Sequence, residues 1–166
     1  MKYRITLVIL AFSLLLCNQS FAQDNLQGSK TVTSVFKALK KQNEKKFLKR
    51  LPTKKDIEYL IPLIKEARPE EKIPEVDSVI ANFKTDASEN FIKVIKKGEN
   101  LGINWNTIIL KDVRSKSNPD HRINVERRDI ILECTSGDKT FIITLKKTYY
   151  IRNKWRLMNT MKLQLL

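Results

Sequence analysis

Histidine occurs once in the 166 residues and cysteine twice, and both scarcities exclude chemistry. A zinc or similar transition-metal site built from nitrogen and sulfur ligands needs several such side chains together. None is expected here, nor any other cofactor. The single histidine, His121, lies in the polar 118–122 loop, with no serine or cysteine nucleophile beside it in a recognisable motif. No catalytic residue can therefore be named, and the reading leans away from an enzyme. The acids supply no catalytic pair either. Glu70 and Glu71 fall in a connection, and Asp129 and Glu133 share the strand face opposite Cys134. Internal repeats and low-complexity linkers are absent too.

Apolar runs long enough to cross a membrane are also missing. A spanning helix needs about 20 apolar residues, and the longest run, 5–16, has twelve, interrupted by Thr6 and Ser13. What precedes and follows that run has the form of a secretory signal. Lys2 and Arg4 supply a positive end, and Ser20-Phe21-Ala22 supplies small residues where signal peptidase reads. The expectation is an exported protein, periplasmic or secreted, with 1–22 as signal peptide, 23–28 as a disordered leader and 29–166 as one domain. A lipoprotein anchored through Cys17 is the rival, although Leu16 stands where such a signal wants a small residue. Cleavage after Ala22 removes Cys17 and leaves Cys134 alone, so an intramolecular disulfide is impossible and packing must hold the domain. No transmembrane segment is expected after that cleavage.

Acidic residues are few, 18 against 32 Lys and Arg. Loss of Lys2 and Arg4 with the signal lowers the formal +14 to +12. The excess is concentrated in residues 30–55, which hold ten cations and one acid, Glu44. Such a face attracts anionic partners at low salt. Lys37, Lys40, Lys41, Lys45, Lys46, Lys49, Arg50, Lys54 and Lys55 are the candidate contacts with an anionic envelope surface. The other reading is a solvated helix face that serves solubility. Nucleic acid is disfavoured by export and by the lack of exposed aromatics for base stacking, since Phe36 and Phe47 fall on core stripes.

Hydrophobic spacing divides the domain near Gly102. Val32, Val35, Phe36 and Leu39 recur at helical spacing, predicting a helix over 29–41, then a bend and a short helix to Pro52. Thr53-Lys54-Lys55-Asp56 reads as a capping box before the stripe Ile57, Leu60, Ile61 and Ile64, which Pro62 should kink. A helix over 73–83 follows, with Pro74 in its first turn. Thr85 is expected to cap a further helix that stops at Gly102. Beyond Gly102 the period becomes two. Strands are predicted over 105–113 and 128–135, with turns at 118–120 and 136–138. Two more strands follow, joined by a tight turn at Arg152-Asn153. Short connections force antiparallel pairing. The predicted class is α+β: a helical half, 29–102, packed on a four-stranded antiparallel meander, 103–166.

Three segments carry a resemblance. Phe36-Lys37-Ala38-Leu39 through Phe47-Leu48-Lys49-Arg50-Leu51 resembles the opening of NTF2-like domains, and Thr140-Phe141-Ile142-Ile143-Thr144-Leu145 with Asn153-Lys154-Trp155-Arg156-Leu157 resembles their last hairpin. Gly98-Glu99-Asn100-Leu101-Gly102-Ile103-Asn104-Trp105 is similar to a GxxLGIDW segment of small exported bacterial proteins without assigned activity. The resemblance implies an NTF2-like, cystatin-like fold. The helices over 53–67 and 73–83 depart from its simplest members and are placed to fill or cover the cone that others use as a pocket. That superfamily holds enzymes, carriers and interaction modules, so the fold alone names no function.

Two candidate sites remain. Lys147, Tyr149 and Asn159 stand in register with the apolar strand face, where they line a pocket or else lie at strand ends near water. Cys134 falls between buried positions, where cysteine behaves as a small hydrophobe; a reactive thiol is the other reading. The expected role is a non-enzymatic exported binding domain that contacts an anionic envelope component or another exported protein through its basic helical face. An NTF2-like small-molecule carrier or enzyme is the alternative.

Overall fold

The computed structural model describes residues 26–121, 123–158 and 160–166. The expected signal peptide, the first part of the leader and Asn159 lie outside the described residues. The end of the leader departs from expectation: Leu26–Gly28 forms a 3-10 turn, and Leu26 is buried in the core.

Helix α1, Lys30–Lys40, starts where the Ser29 side chain accepts from the Val32 amide at 3.2 Å. It buries Val32, Val35, Ala38 and Leu39, while Phe36 is only partly covered. The bend falls at Gln42, in left-handed conformation at φ 47°. Asn43 then caps the short α2, Glu44–Leu48, by accepting from the Lys46 amide at 2.9 Å. The expected capping box opens α3, Lys54–Ala67, with Pro62 inside it.

The two helices expected over 73–102 are one. Helix α4 runs unbroken over Val76–Asn100, and Pro74 precedes it rather than entering its first turn. Thr85 is an interior residue, and its hydroxyl donates to the Ala81 carbonyl at 3.1 Å. A threonine that returns its hydroxyl to the preceding turn loses its value as a cap signal.

The stop at Gly102 holds. Gly102 sits at φ 76°, and the Ile103 amide donates to the Gly98 carbonyl at 2.9 Å. Trp105 then folds back over the helix end and donates its indole N–H to the Ile95 carbonyl at 3.0 Å. A Cβ on Gly98 would stand 2.2 Å from Trp105 Cζ2. Only glycine lets the ring lie there. The 98–105 segment is thus a packing corner. Because Trp105–Thr107 forms a 3-10 turn, the first strand starts later than expected, at Ile109.

Five strands follow: β1 (Ile109–Ser117), β2 (Arg127–Ser136), β3 (Lys139–Ile151), β4 (Lys154–Leu157) and β5 (Met161–Leu165). All neighbours are antiparallel, in the order β1-β2-β3-β4, and β5 pairs with the first half of β3. The expected four-stranded meander is corrected in its last row, which is broken into β4 and β5. The cause lies in β3. Lys147 has φ 49°, and the ladder with β2 shifts between Arg128 and Ile130, leaving one extra residue in β3. Asp129 Oδ1 takes up the displaced Lys147 amide at 2.9 Å. An inserted residue reverses which side chains face which side.

Before the bulge, Phe141, Ile143 and Leu145 join Ile130, Leu132 and Cys134 in the main core under α1, α2 and α4. After it, Tyr149 and Ile151 point the other way, into a second cluster with Leu60 of α3. The bulge is why one sheet needs helices on both faces.

Candidate functional site

Strand β4 ends the sheet on one side, and an edge strand leaves backbone groups unpaired. Two segments from the helical half cover them. The Thr31 hydroxyl donates to the Trp155 carbonyl at 2.7 Å, and the Leu157 amide donates to the Arg50 carbonyl at 3.1 Å. Between the start of α1, the 49–53 segment and the β3–β4 hairpin lies a cleft of about 770 Å³. Residues Lys30, Lys49, Arg50, Lys154 and Arg156 line it, with Tyr150 and Trp155.

The charges there are unevenly satisfied. Alternation along β4 puts Arg156 opposite Tyr149 and on the α3 side. Its Nε lies 2.8 Å from Oδ2 of Asp56, whose side chain is 2% exposed. The same carboxylate accepts from the Thr53 amide at 2.9 Å and the Thr53 hydroxyl at 2.7 Å, with Arg152 Nη1 at 3.8 Å from its other oxygen. One buried acid therefore ties the first turn of α3 to the hairpin.

Arg50 has no such partner. Its Nε, like that of Arg156, is shut off from solvent and makes no hydrogen bond among the described residues, and no acid there pairs with Arg50. Burial, and then the positive charge of Arg156, lower its proton affinity. Glu126, the one acid lining the cleft, is held by Arg128 at 2.6 Å. The Arg128 guanidinium also lies 5.8 Å from the Trp155 ring centre, and the Trp155 and Tyr150 rings are 5.1 Å apart.

A second hollow, about 540 Å³, lies among residues 115–128. Its charges are matched: Arg127 Nη1 is 3.0 Å from both Asp120 Oδ2 and the Tyr149 hydroxyl. The Tyr149 hydroxyl donates to Asp120 at 3.1 Å. Burial pushes the Tyr149 phenol up, with Arg127 opposing and Asp120 adding to the rise. His121, beside this cluster, is exposed.

The candidates named from sequence divide accordingly. Only Lys49 and Arg50 of the basic set line the cleft. Lys37, Lys41, Lys45 and Lys55 are exposed, and Lys46 is half-buried. Lys40 is a structural tether, its ammonium donating to the Ile108 carbonyl at 3.1 Å, and Lys54 pairs with Asp77 at 3.1 Å. Lys147 is exposed at the bulge and Tyr149 is buried beneath α3, while Asn159 lies outside the described residues. Cys134 is fully buried, and burial, with Glu133 adjacent, pushes its thiol up to about 12, which makes it inert.

Lys30, Tyr150, Lys154, Trp155 and Arg156 lie outside the candidate set that the sequence suggests. Lys154-Trp155-Arg156 had a visible signal, cations flanking an aromatic, but the relevant neighbour is Arg50, more than a hundred residues away in the chain.

Among the described residues no group of His, Cys, Asp and Glu side chains gathers to hold a metal, and no helix is long and apolar enough to cross a membrane. No protein-family model, no curated protein and no solved structure matches the chain.

Proposed function

We propose that this protein is an exported, non-enzymatic binding domain that engages an anionic component of the cell envelope. The observation that carries this reading is the cleft beside β4, where five cations and two aromatic rings meet one acid already held by Arg128. The surface around it adds to the field. Lys30 and Lys37 of α1 and Lys41 at its C-cap follow one helical stripe, all exposed, and that stripe begins at the cleft.

The signal-like pattern of residues 1–22 supports export. The NTF2-like resemblance belongs to the same proposal, supported by helices followed by a bulged antiparallel sheet with a closing hairpin. The residues that would line an internal cone, among them Leu39, Phe141, Ile143 and Leu145, are completely buried. Their burial favours the external cleft over the carrier alternative.

Vesicle sedimentation tests the reading. The protein should bind phosphatidylglycerol vesicles at low salt, release them as salt rises, and ignore phosphatidylcholine. A lysine near an anionic surface contributes about 1 kcal/mol, so Lys37→Gln with Lys41→Gln should weaken binding roughly 30-fold. Absence of binding at low salt refutes the envelope role.

A further inference from the structure

We infer that the cleft beside β4 is a phosphoryl-binding site, with Arg50 as the recognition residue and Tyr150 as the platform for the rest of a phosphomonoester. The inference rests on the proposed anion-binding role and gives it a ligand chemistry. Arg50 is half-buried, its Nε is closed to solvent, and no carboxylate among the described residues pairs with it. Its Nη groups, by contrast, are not buried, and the planar guanidinium fork fits the oxygens of phosphate with two parallel bonds. Its charged neighbour in the lining is another guanidinium, Arg156, whose acid Asp56 is already shared with Thr53 and Arg152. Burial and that neighbour both lower the proton affinity of Arg50, the direction that an approaching anion reverses.

The number of cations selects the anion. A carboxylate brings one charge in one plane, which a single arginine satisfies. Here Lys30, Lys49 and Lys154 line the same cleft as the two arginines, and Glu126 is occupied by Arg128. A dianionic phosphomonoester brings two charges and three terminal oxygens, enough to engage Arg50 and the lysines at once. The lining is also aromatic. Tyr150 remains 40% exposed and leans against Trp155 with ring centres 5.1 Å apart. A flat or ring-shaped carbon skeleton attached to the phosphate gains contact there. The second hollow offers no such imbalance, because Arg127 is answered by Asp120.

Calorimetric titration of the mature protein with phenyl phosphate, inorganic phosphate and benzoate reads the site. Phenyl phosphate should bind at least tenfold more tightly than either of the others. Arg50→Met should cost at least tenfold in phenyl phosphate affinity without lowering the thermal midpoint, because Arg50 makes no ion pair among the described residues and its Nε makes no hydrogen bond. Tyr150→Ala should weaken phenyl phosphate while leaving inorganic phosphate unchanged. Phenyl phosphate bound no better than benzoate, or bound equally by Arg50→Met, overturns the inference.

Vesicles containing phosphatidic acid, whose headgroup is itself a phosphomonoester, separate this inference from the surface reading and a lipid headgroup from a free phosphate. Arg50→Met that still sediments with vesicles but loses phenyl phosphate supports a soluble phosphate ligand in the cleft. Arg50→Met that loses both supports a phosphorylated headgroup there. Vesicle binding that survives while no phosphate compound binds the wild type overturns the cleft assignment and leaves the surface reading standing.

Discussion

The corner at residues 98–105 and the corner around Asp56 join the helical half to the sheet by opposite means. At the first, a glycine face receives an indole ring, the ring's single polar atom is bonded to the Ile95 carbonyl, and neither partner of that contact is charged. At the second, an almost completely buried carboxylate holds an arginine from β4 and a helix start from α3, while Arg50 nearby stays unanswered. Packing settles the first corner within itself. The second settles only part of its charge, and the remainder faces a cleft. Electrostatic groups placed where they do not satisfy one another are expected at binding sites rather than in scaffolding.

Breaking the charged corner should have the largest effect. Asp56→Ala strands Arg156 beside Arg50 and removes the acid half of the α3 capping box. Breaking one side of a buried pair costs about 3–5 kcal/mol, to be read from the shift of the urea midpoint. A loss under about 1 kcal/mol would mean that Asp56 is not the tie between α3 and β4, and the contrast would fall.

Next comes the packed corner. Gly98→Ala drives a methyl into Trp105 Cζ2, and overpacking of this kind costs about 1–3 kcal/mol. The near-ultraviolet circular dichroism of Trp105 should change with it. Unchanged stability would show that the ring has room to move and that the corner is looser than its distances imply.

The smallest effect sharpens the comparison with a carboxylate that is fully answered. Burial pushes the Asp129 carboxyl up, but bonds from the Lys147 amide and Asn118, with Lys146 and Arg127 nearby, outweigh it and leave the group below its ordinary value. A lowered folded value means the stabilisation is present above the unfolded pKa of about 3.9 and is lost as pH falls through the folded value. Asp129→Asn should therefore cost up to about 1 kcal/mol at neutral pH. Its urea midpoint should converge on the wild type below about pH 4. A gap that persists in acid would assign the cost to the bulge geometry instead of the charge.

Local physics made much of this molecule readable in advance. The stripe Val32, Val35, Leu39 follows from a 3.6-residue turn, and the Thr53–Asp56 box needs only residues three apart. The stop at Gly102 needs only a residue that tolerates positive φ. Misreadings came where a local signal met a tertiary one. Thr85 looks like a cap, yet Phe91, Val94 and Ile95 bury the later turns of α4 and carry the helix straight through it. Nothing around Lys147 announces a bulge, because lysine has no preference for positive φ. Strict alternation runs straight across it, whereas the inserted residue turns Tyr149 to the face that packs on Leu60. The cleft was least visible of all: Arg50 looked like one more cation in a basic run.

Composition and spacing by themselves determined the α+β class, the antiparallel pairing, the burial of Cys134 beside Ile130 and Leu132 and the concentration of positive charge in residues 30–55. Each depends on neighbours within a few turns or on simple counts. Tertiary structure alone decided which cations lack partners. An ion pair is set by distance, and the distances that matter join Arg50 and Asp56 to a hairpin about a hundred residues downstream, across a sheet whose facing reverses at a single inserted residue.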